Sequence, residues 1–173
     1  MEKLQYPVGR FTYQPSDEAQ RSSYIETIRN LPGQMRRAAS ALSDAQLGQP
    51  YRPGGWTARQ VIHHVADSHL NAYVRFKLIL TEDNPTIKPY DEKAWADLAD
   101  TQHTPPEASL LILEGLHARW ASLLENIKGE QWRRTGFHPE QRREISLDEF
   151  LALYNWHCRH HLEHVRLVLK MKR

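Results

Sequence analysis

Apolar residues along this chain recur at steps of three and four, the period of a helix with one buried face, and no stretch demands the alternation of a strand. Tyr24, Ile25, Ile28, Leu31 and Met35 define the first such stretch, which predicts a helix over about residues 17–41. A break or kink is expected at Pro32-Gly33, because proline has no N–H for the carbonyl four residues back. A short helical turn follows Ser43. The loop Pro50-Tyr51-Arg52-Pro53-Gly54-Gly55-Trp56 then leads into a second helix, over about residues 57–81. Pro105 is expected at the first position of a third helix, over about residues 105–127, with Leu110, Leu111, Leu116, Trp120 and Leu124 inward. A last helix is expected from Ser146 to about residue 170.

Helix-start signals support these boundaries. Ser43 with Gln46, Thr57 with Gln60, Thr104 with Glu107, and Ser146 with Glu149 each pair a hydroxyl cap with an amide or carboxylate three residues on. Residues 82–103 are irregular, with Pro85 and Pro89, although Tyr90-Asp91-Glu92-Lys93-Ala94-Trp95 can close into a short helix. This longest connection reads as a crossover covering the site, and Phe137-His138-Pro139 to Glu144-Ile145 as a small hairpin or extended loop. The expected fold is all-α: a four-helix bundle with a long crossover connection and a hairpin or loop before the last helix.

At 173 residues the chain suits one domain, residues 1–173. Its formal charge of +2 comes from 23 basic and 21 acidic residues scattered along the chain with no basic block, so no nucleic-acid partner is expected. Cys158 is the only cysteine, which excludes an intrachain disulfide and fits a reducing compartment. Met1-Glu2-Lys3-Leu4-Gln5-Tyr6-Pro7 lacks the apolar core of a signal peptide, and no apolar run approaches the roughly 18 residues of a membrane span. The expectation is a cytoplasmic protein with no membrane association.

Ten histidines change the picture, because seven of them fall in the second and last helices. His157 and His161, four residues apart, share a stripe with Phe150, Tyr154, Val165 and Val168, so both imidazoles lie on a core-facing surface and can address one metal ion. His160 and His164 have the same spacing but fall on a flank, which reads as exposed or as support for the inner pair. On the second helix, His63 and His64 diverge by about 100° and phase alone leaves the choice open. His64 shares its face with Val61, Ser68, Asn71 and Arg75, a polar strip that suits a wet site.

The chain resembles the DinB superfamily, and closely its YfiT-like group of metal-dependent hydrolases. The resemblance lies in Tyr51-Arg52-Pro53-Gly54-Gly55-Trp56-Thr57, His63-His64-Val65-Ala66-Asp67-Ser68-His69, Pro89-Tyr90-Asp91-Glu92-Lys93-Ala94-Trp95, and Trp156-His157 through His161. It implies a four-helix bundle, often a homodimer, holding one divalent zinc or nickel ion through the second histidine of the first His motif and the two histidines four apart in the last. Those positions are His64, His157 and His161.

Three neutral imidazoles leave a divalent ion its full charge, so a bound water is acidified and hydrolysis of a small-molecule substrate becomes available. Cys158 stands where a His-Glu-x-x-His protease carries its base, so this is not a zincin. Asp67, nearly one turn beyond His64, is the first candidate base, ahead of Asp91 and Glu92. A low-molecular-weight thiol bound to the ion and attacking as thiolate is an alternative that needs no base, and a non-catalytic metal-binding protein is a third reading. Cys158 points about 100° away from His157 and reads as a buried inert thiol; Trp56, Trp120 and Trp156 read as core or pocket walls.

Overall fold

The computed structural model describes residues 2–171, so the ends of the domain expected over residues 1–173 lie outside the described residues. Four long helices form the bundle: α2 (Glu18–Ser40), α4 (Ala58–Thr81), α7 (Pro106–Glu125) and α8 (Leu147–Lys170). Short helices α1 (Glu2–Gln5), α3 (Asp44–Leu47), α5 (Glu92–Ala96) and α6 (Ala99–His103) and a 3₁₀ turn at Gly129–Arg133 fill the connections. Strands β1 (Thr135–His138) and β2 (Arg143–Ser146) form the expected antiparallel hairpin, with Gly136 opposite Ile145.

Contacts between named side chains give the helix directions. Arg36 of α2 bonds Glu107 near the start of α7, while Arg29 reaches Glu125 at its end, so these two run antiparallel. His63 meets Ser109 and His69 meets His117, so α4 and α7 run parallel. His64 lies against His157 and Tyr154 against Ser68, so α8 runs back against α4. The order is therefore up, down, down, up, which requires the chain to return the length of the bundle between α4 and α7. Residues 82–105 make that return, as the crossover reading anticipated. The crossover holds two short helices, and α6 was not anticipated.

The crossover is tied down at both ends. The Ile87 N–H donates to the Phe137 carbonyl and the Phe137 N–H to the Pro85 carbonyl, attaching it to β1. Gln60 Nε2 donates to the Ala96 carbonyl, attaching α5 to the head of α4. At Gly136 a Cβ would stand 3.0 Å from the Ile79 side chain, so any larger residue would press Ile79 aside where the hairpin seats on α4. The core beneath is built from Ile28, Leu31, Met35, Ile62, Phe76, Leu113, Trp120, Leu124, Phe150 and Leu151. The expected inward set on α7 holds except for Leu111, which is 58% exposed; Leu113 joins Leu110 in the inward phase instead.

Two expected caps do not form as drawn. Helix α7 begins at Pro106, not Pro105, so the N-cap place expected of Thr104 falls to Pro105, which has no polar side chain to cap with, and the Glu107 carboxylate is engaged by Arg36. Ser146 caps Glu149 N–H, but Glu149 reaches Arg143 and does not close the box. The boxes at Ser43 and Thr57 are complete, and a further one joins Asp17 to Gln20. Helix α2 also runs unbroken through Pro32. The carbonyl that Pro32 leaves without a helical donor is that of Ile28, and His117 Nδ1 donates to it across the bundle at 2.5 Å.

Candidate metal centre

Thr57 caps α4 and so sets the phase in which His63 and His64 leave the helix. His63 turns to α7, where its ring nitrogens meet Ser109 Oγ at 2.7 Å and the Thr104 carbonyl at 3.0 Å. His64 turns to α8. Its Nε2 lies 3.4 Å from His157 Nε2, and one donor atom from each of His64, His157 and His161 lies within 4.8 Å of the others. Ligands at about 2.05 Å from a tetrahedral ion stand roughly 3.3 Å apart, so the pair spacing fits a divalent ion of zinc's size.

All three rings are held neutral. Burial pushes the His64 imidazole down to about 4, with His164 adding a smaller effect. Burial likewise pushes His157 and His161 well below the ordinary histidine value, reinforced by the neighbouring histidines. A neutral imidazole presents the lone pair a metal needs, so the environment favours ligation over protonation.

The trio lies in the wall of a cavity of about 380 Å³. Trp56, Leu153 and Trp156 contribute apolar side chains to its lining, and Arg75, Glu92 and His138 polar ones. Trp120, fully buried, belongs to the core. Ser68 and Arg75, read from the sequence as a wet strip beside His64, both line this cavity. The crossover contributes Glu92. The residue as a whole is exposed, but local desolvation raises its carboxyl above the ordinary range; the Arg75 charge works against the shift and Asp91 with it.

Asp67 is not among the lining residues. Its carboxyl is raised to about 6 by burial and then by Asp100, which marks the α6 side of α4 as its surroundings. Asp91 caps α5 by accepting from the Ala94 N–H. Cys158 is buried, and burial raises its thiol further from the reactive thiolate.

His160 and His164 are not exposed, as the flank position had suggested as one possibility: both are buried, at 6% and 2% accessibility. The N-terminal segment covers that flank, Gln5 through its carbonyl to His164 and Tyr6 through its ring near His160. Tyr51 stacks on His164 from the other side, with ring centroids 3.8 Å apart. With His161 these two form a second histidine trio.

His69 and His117 were missed by the sequence reading. His69 Nε2 contacts His157 Nδ1 at 3.0 Å and His69 Nδ1 contacts His117 Nε2 at 2.8 Å. A signal existed for His117, which continues the inward stripe Leu110, Leu113, Trp120, Leu124 at steps of three and four.

The profile of the DinB superfamily matches residues 27–165. The chain belongs to that superfamily. Among its relatives is the Bacillus subtilis protein named "Putative metal-dependent hydrolase YfiT", 44% identical over 163 residues, which span 94% of this chain and 92% of the relative. A Bacillus cereus protein named "Putative metal-dependent hydrolase" is 48% identical over 171 residues, 98% of each chain. The solved structure of Bacillus subtilis YfiT, described as "a probable metal-dependent hydrolase with an unusual four-helix bundle topology", superposes with a TM-score of 0.93 at 43% identity, over 96% of this chain and 95% of that one. The four-helix bundle read from the sequence is thus shared with a solved relative, and the up-down-down-up order is this chain's form of it.

Proposed function

We propose that this protein is a metal-dependent hydrolase in which His64, His157 and His161 hold one divalent ion, zinc or nickel, with its remaining positions open to a small-molecule substrate and water. The observation that carries this reading is the convergence of three neutral imidazoles from α4 and α8 in the wall of a cavity. When bound there, the ion supplies Lewis acidity and lowers the pKa of a coordinated water towards neutral pH.

The chain's own groups do the rest. Glu92 is the carboxylate among the residues that line the cavity, and Asp67 does not line it, so the base is assigned to Glu92 in preference to Asp67. Arg75 presents its guanidinium to the same space, with one arm held on the Lys88 carbonyl, and orients an electron-rich group of the substrate. Trp56 and Trp156 form an apolar wall that limits water around it.

Protein purified without an affinity tag is expected to carry about one zinc or nickel per chain by elemental analysis. With an electrophilic ester or amide panel, the metal-loaded protein is expected to release hydrolysis products at the same rate with and without the cell's small thiols. Conjugate formation only when thiol is present would replace hydrolysis by thiol transfer. Full metal occupancy with no turnover of either kind would leave a metal-binding protein without catalysis.

The relatives' names say nothing of assembly or compartment. A homodimer is proposed from the exposed apolar side chains Leu70 and Val74 on α4 and Leu111 and Ile112 on α7. Light scattering is expected to give about twice the 20.2 kDa chain mass. A cytoplasmic location is proposed from the lone buried thiol Cys158. Among the described residues no helix is long and apolar enough to cross a membrane.

A further inference from the structure

We propose that His69, His117 and His164 are positioning residues: two hydrogen-bonded histidine chains, each ending on a main-chain carbonyl, hold His157 and His161 in the tautomer that leaves Nε2 bare. This rests on the ligand assignment above for its consequence, but not for its geometry.

The first chain crosses the whole bundle. A carbonyl only accepts, so at the Ile28 oxygen, 2.5 Å away, His117 Nδ1 carries the proton. A neutral His117 then has a lone pair at Nε2, so the contact of 2.8 Å to His69 makes His69 Nδ1 the donor. His69 Nε2 is bare in turn, and His157 Nδ1 donates to it at 3.0 Å. One proton remains for each ring, and His157 is left with its lone pair on Nε2, the atom that faces His64 Nε2. The direction of three hydrogen bonds follows from a single acceptor. That acceptor exists because Pro32 offers no N–H to the Ile28 carbonyl.

The second chain is shorter. His164 Nε2 donates to the Gln5 carbonyl at 3.2 Å, which leaves His164 Nδ1 bare. His161 Nδ1 donates to it at 3.3 Å, so His161 also has its lone pair on Nε2. This accounts for the closeness of His161 and His164 within the second trio without a second ion, since Nδ1 of His161 is already committed to His164. Burial of His69 and His117, at 0% and 1% accessibility, leaves no water to satisfy a reversed tautomer. In metalloproteins the group behind a ligating imidazole fixes its ring and raises its basicity, and losing that group weakens metal binding by about 10- to 100-fold. Here that group is a second histidine, and behind His69 a third.

Long-range ¹⁵N–¹H correlation on the metal-free full chain, near pH 7.5, reads the tautomers directly. His117, His69, His157 and His161 are expected with the proton on Nδ1, and His164 with it on Nε2. A proton on Nε2 of His69 or His157, or an even mixture of tautomers there, would overturn the first chain. His117→Gln retains a donor for Ile28 and an acceptor for His69 and is expected to hold zinc within about threefold of the parent, whereas His117→Leu is expected to lose roughly 10- to 100-fold in zinc affinity. Equal, parent-like affinities would refute the coupling; should the leucine variant fail to fold, the tautomers of the unaltered protein still decide. Zinc titration reaching two ions per chain, the second on His161 and His164, would overturn the second chain. Failure of the unaltered protein to bind zinc, with the tautomer pattern intact, would instead sink the ligand assignment alone.

Discussion

Replacing His161 by alanine removes a donor from the trio and is expected to bring metal per chain close to zero, while His160→Ala leaves it near the parent value; elemental analysis of both variants separates them. His160 stacks on Trp156 and is not one of the histidines whose donor atoms converge with that of His64, so its place is beside that trio. Glu92→Gln keeps shape and removes the base, and kcat is expected to fall by about 10²- to 10⁴-fold with metal content unchanged. Asp67→Asn, by contrast, is expected to leave kcat within about threefold, because that carboxylate does not line the cavity. At this scale the inner pair on α8 was legible from helical phase. The choice of His64 over His63 was not, because it depends on Ser109 and the Thr104 carbonyl drawing His63 to α7. The burial of His160 and His164 was equally hidden, since a helical wheel contains one helix and the covering groups, Gln5, Tyr6 and Tyr51, come from elsewhere in the chain.

Helix termini aim the site, and their energies are modest. Thr57→Ala leaves the Gln60 N–H without its cap and is expected to cost about 1 kcal/mol, read as a lower denaturant midpoint with unchanged slope. At the start of α8 the stakes are higher. Asp148, 5% exposed, accepts from Tyr13, from the Ser16 N–H and from Arg21 Nε, tying the N-terminal segment and α2 to the helix that carries His157 and His161. Asp148→Ala is expected to cost about 2 to 3 kcal/mol by the same measurement, discounted from a fully buried pair because Arg21 remains partly exposed. Capping boxes were readable from sequence where no competitor reached the third residue. The box at Ser146 stays half-formed because Arg143 binds the Glu149 carboxylate instead, and the one at Thr104 fails because the N-cap place falls to Pro105, which has no polar side chain to cap with.

For the molecule as a whole, buried neutral histidines make stability depend on pH. The His117 imidazole, pushed by burial down to about 4, stays neutral in the folded chain while its unfolded counterpart takes a proton below about 6.5. Between those values the unfolded state binds more protons, so stability of the metal-free protein falls as pH falls, by up to about 1.4 kcal/mol per pH unit for each such group. Above pH 7 no such loss is expected, and thermal melts from pH 8 to 5 check the slope. Chelation is expected to lower stability at pH 7.5 as well, by about 2.7 kcal/mol relative to protein with free metal at a hundred times its Kd.

Local pattern was sufficient for the number of long helices, most of their ends, the hairpin and the inner His157/His161 pair, because periodicity and caps act over a few residues and survive in any arrangement of the helices. Which partners those helices find is a matter of distance across the bundle. The parallel run of α4 and α7, the facing of Glu92 rather than Asp67 into the cavity, and the line from Ile28 through His117 and His69 to His157 all join residues far apart in the chain. Pro32 shows the division most plainly: its missing N–H is written in the sequence, but the imidazole that takes up the freed carbonyl is supplied by α7, some 85 residues on.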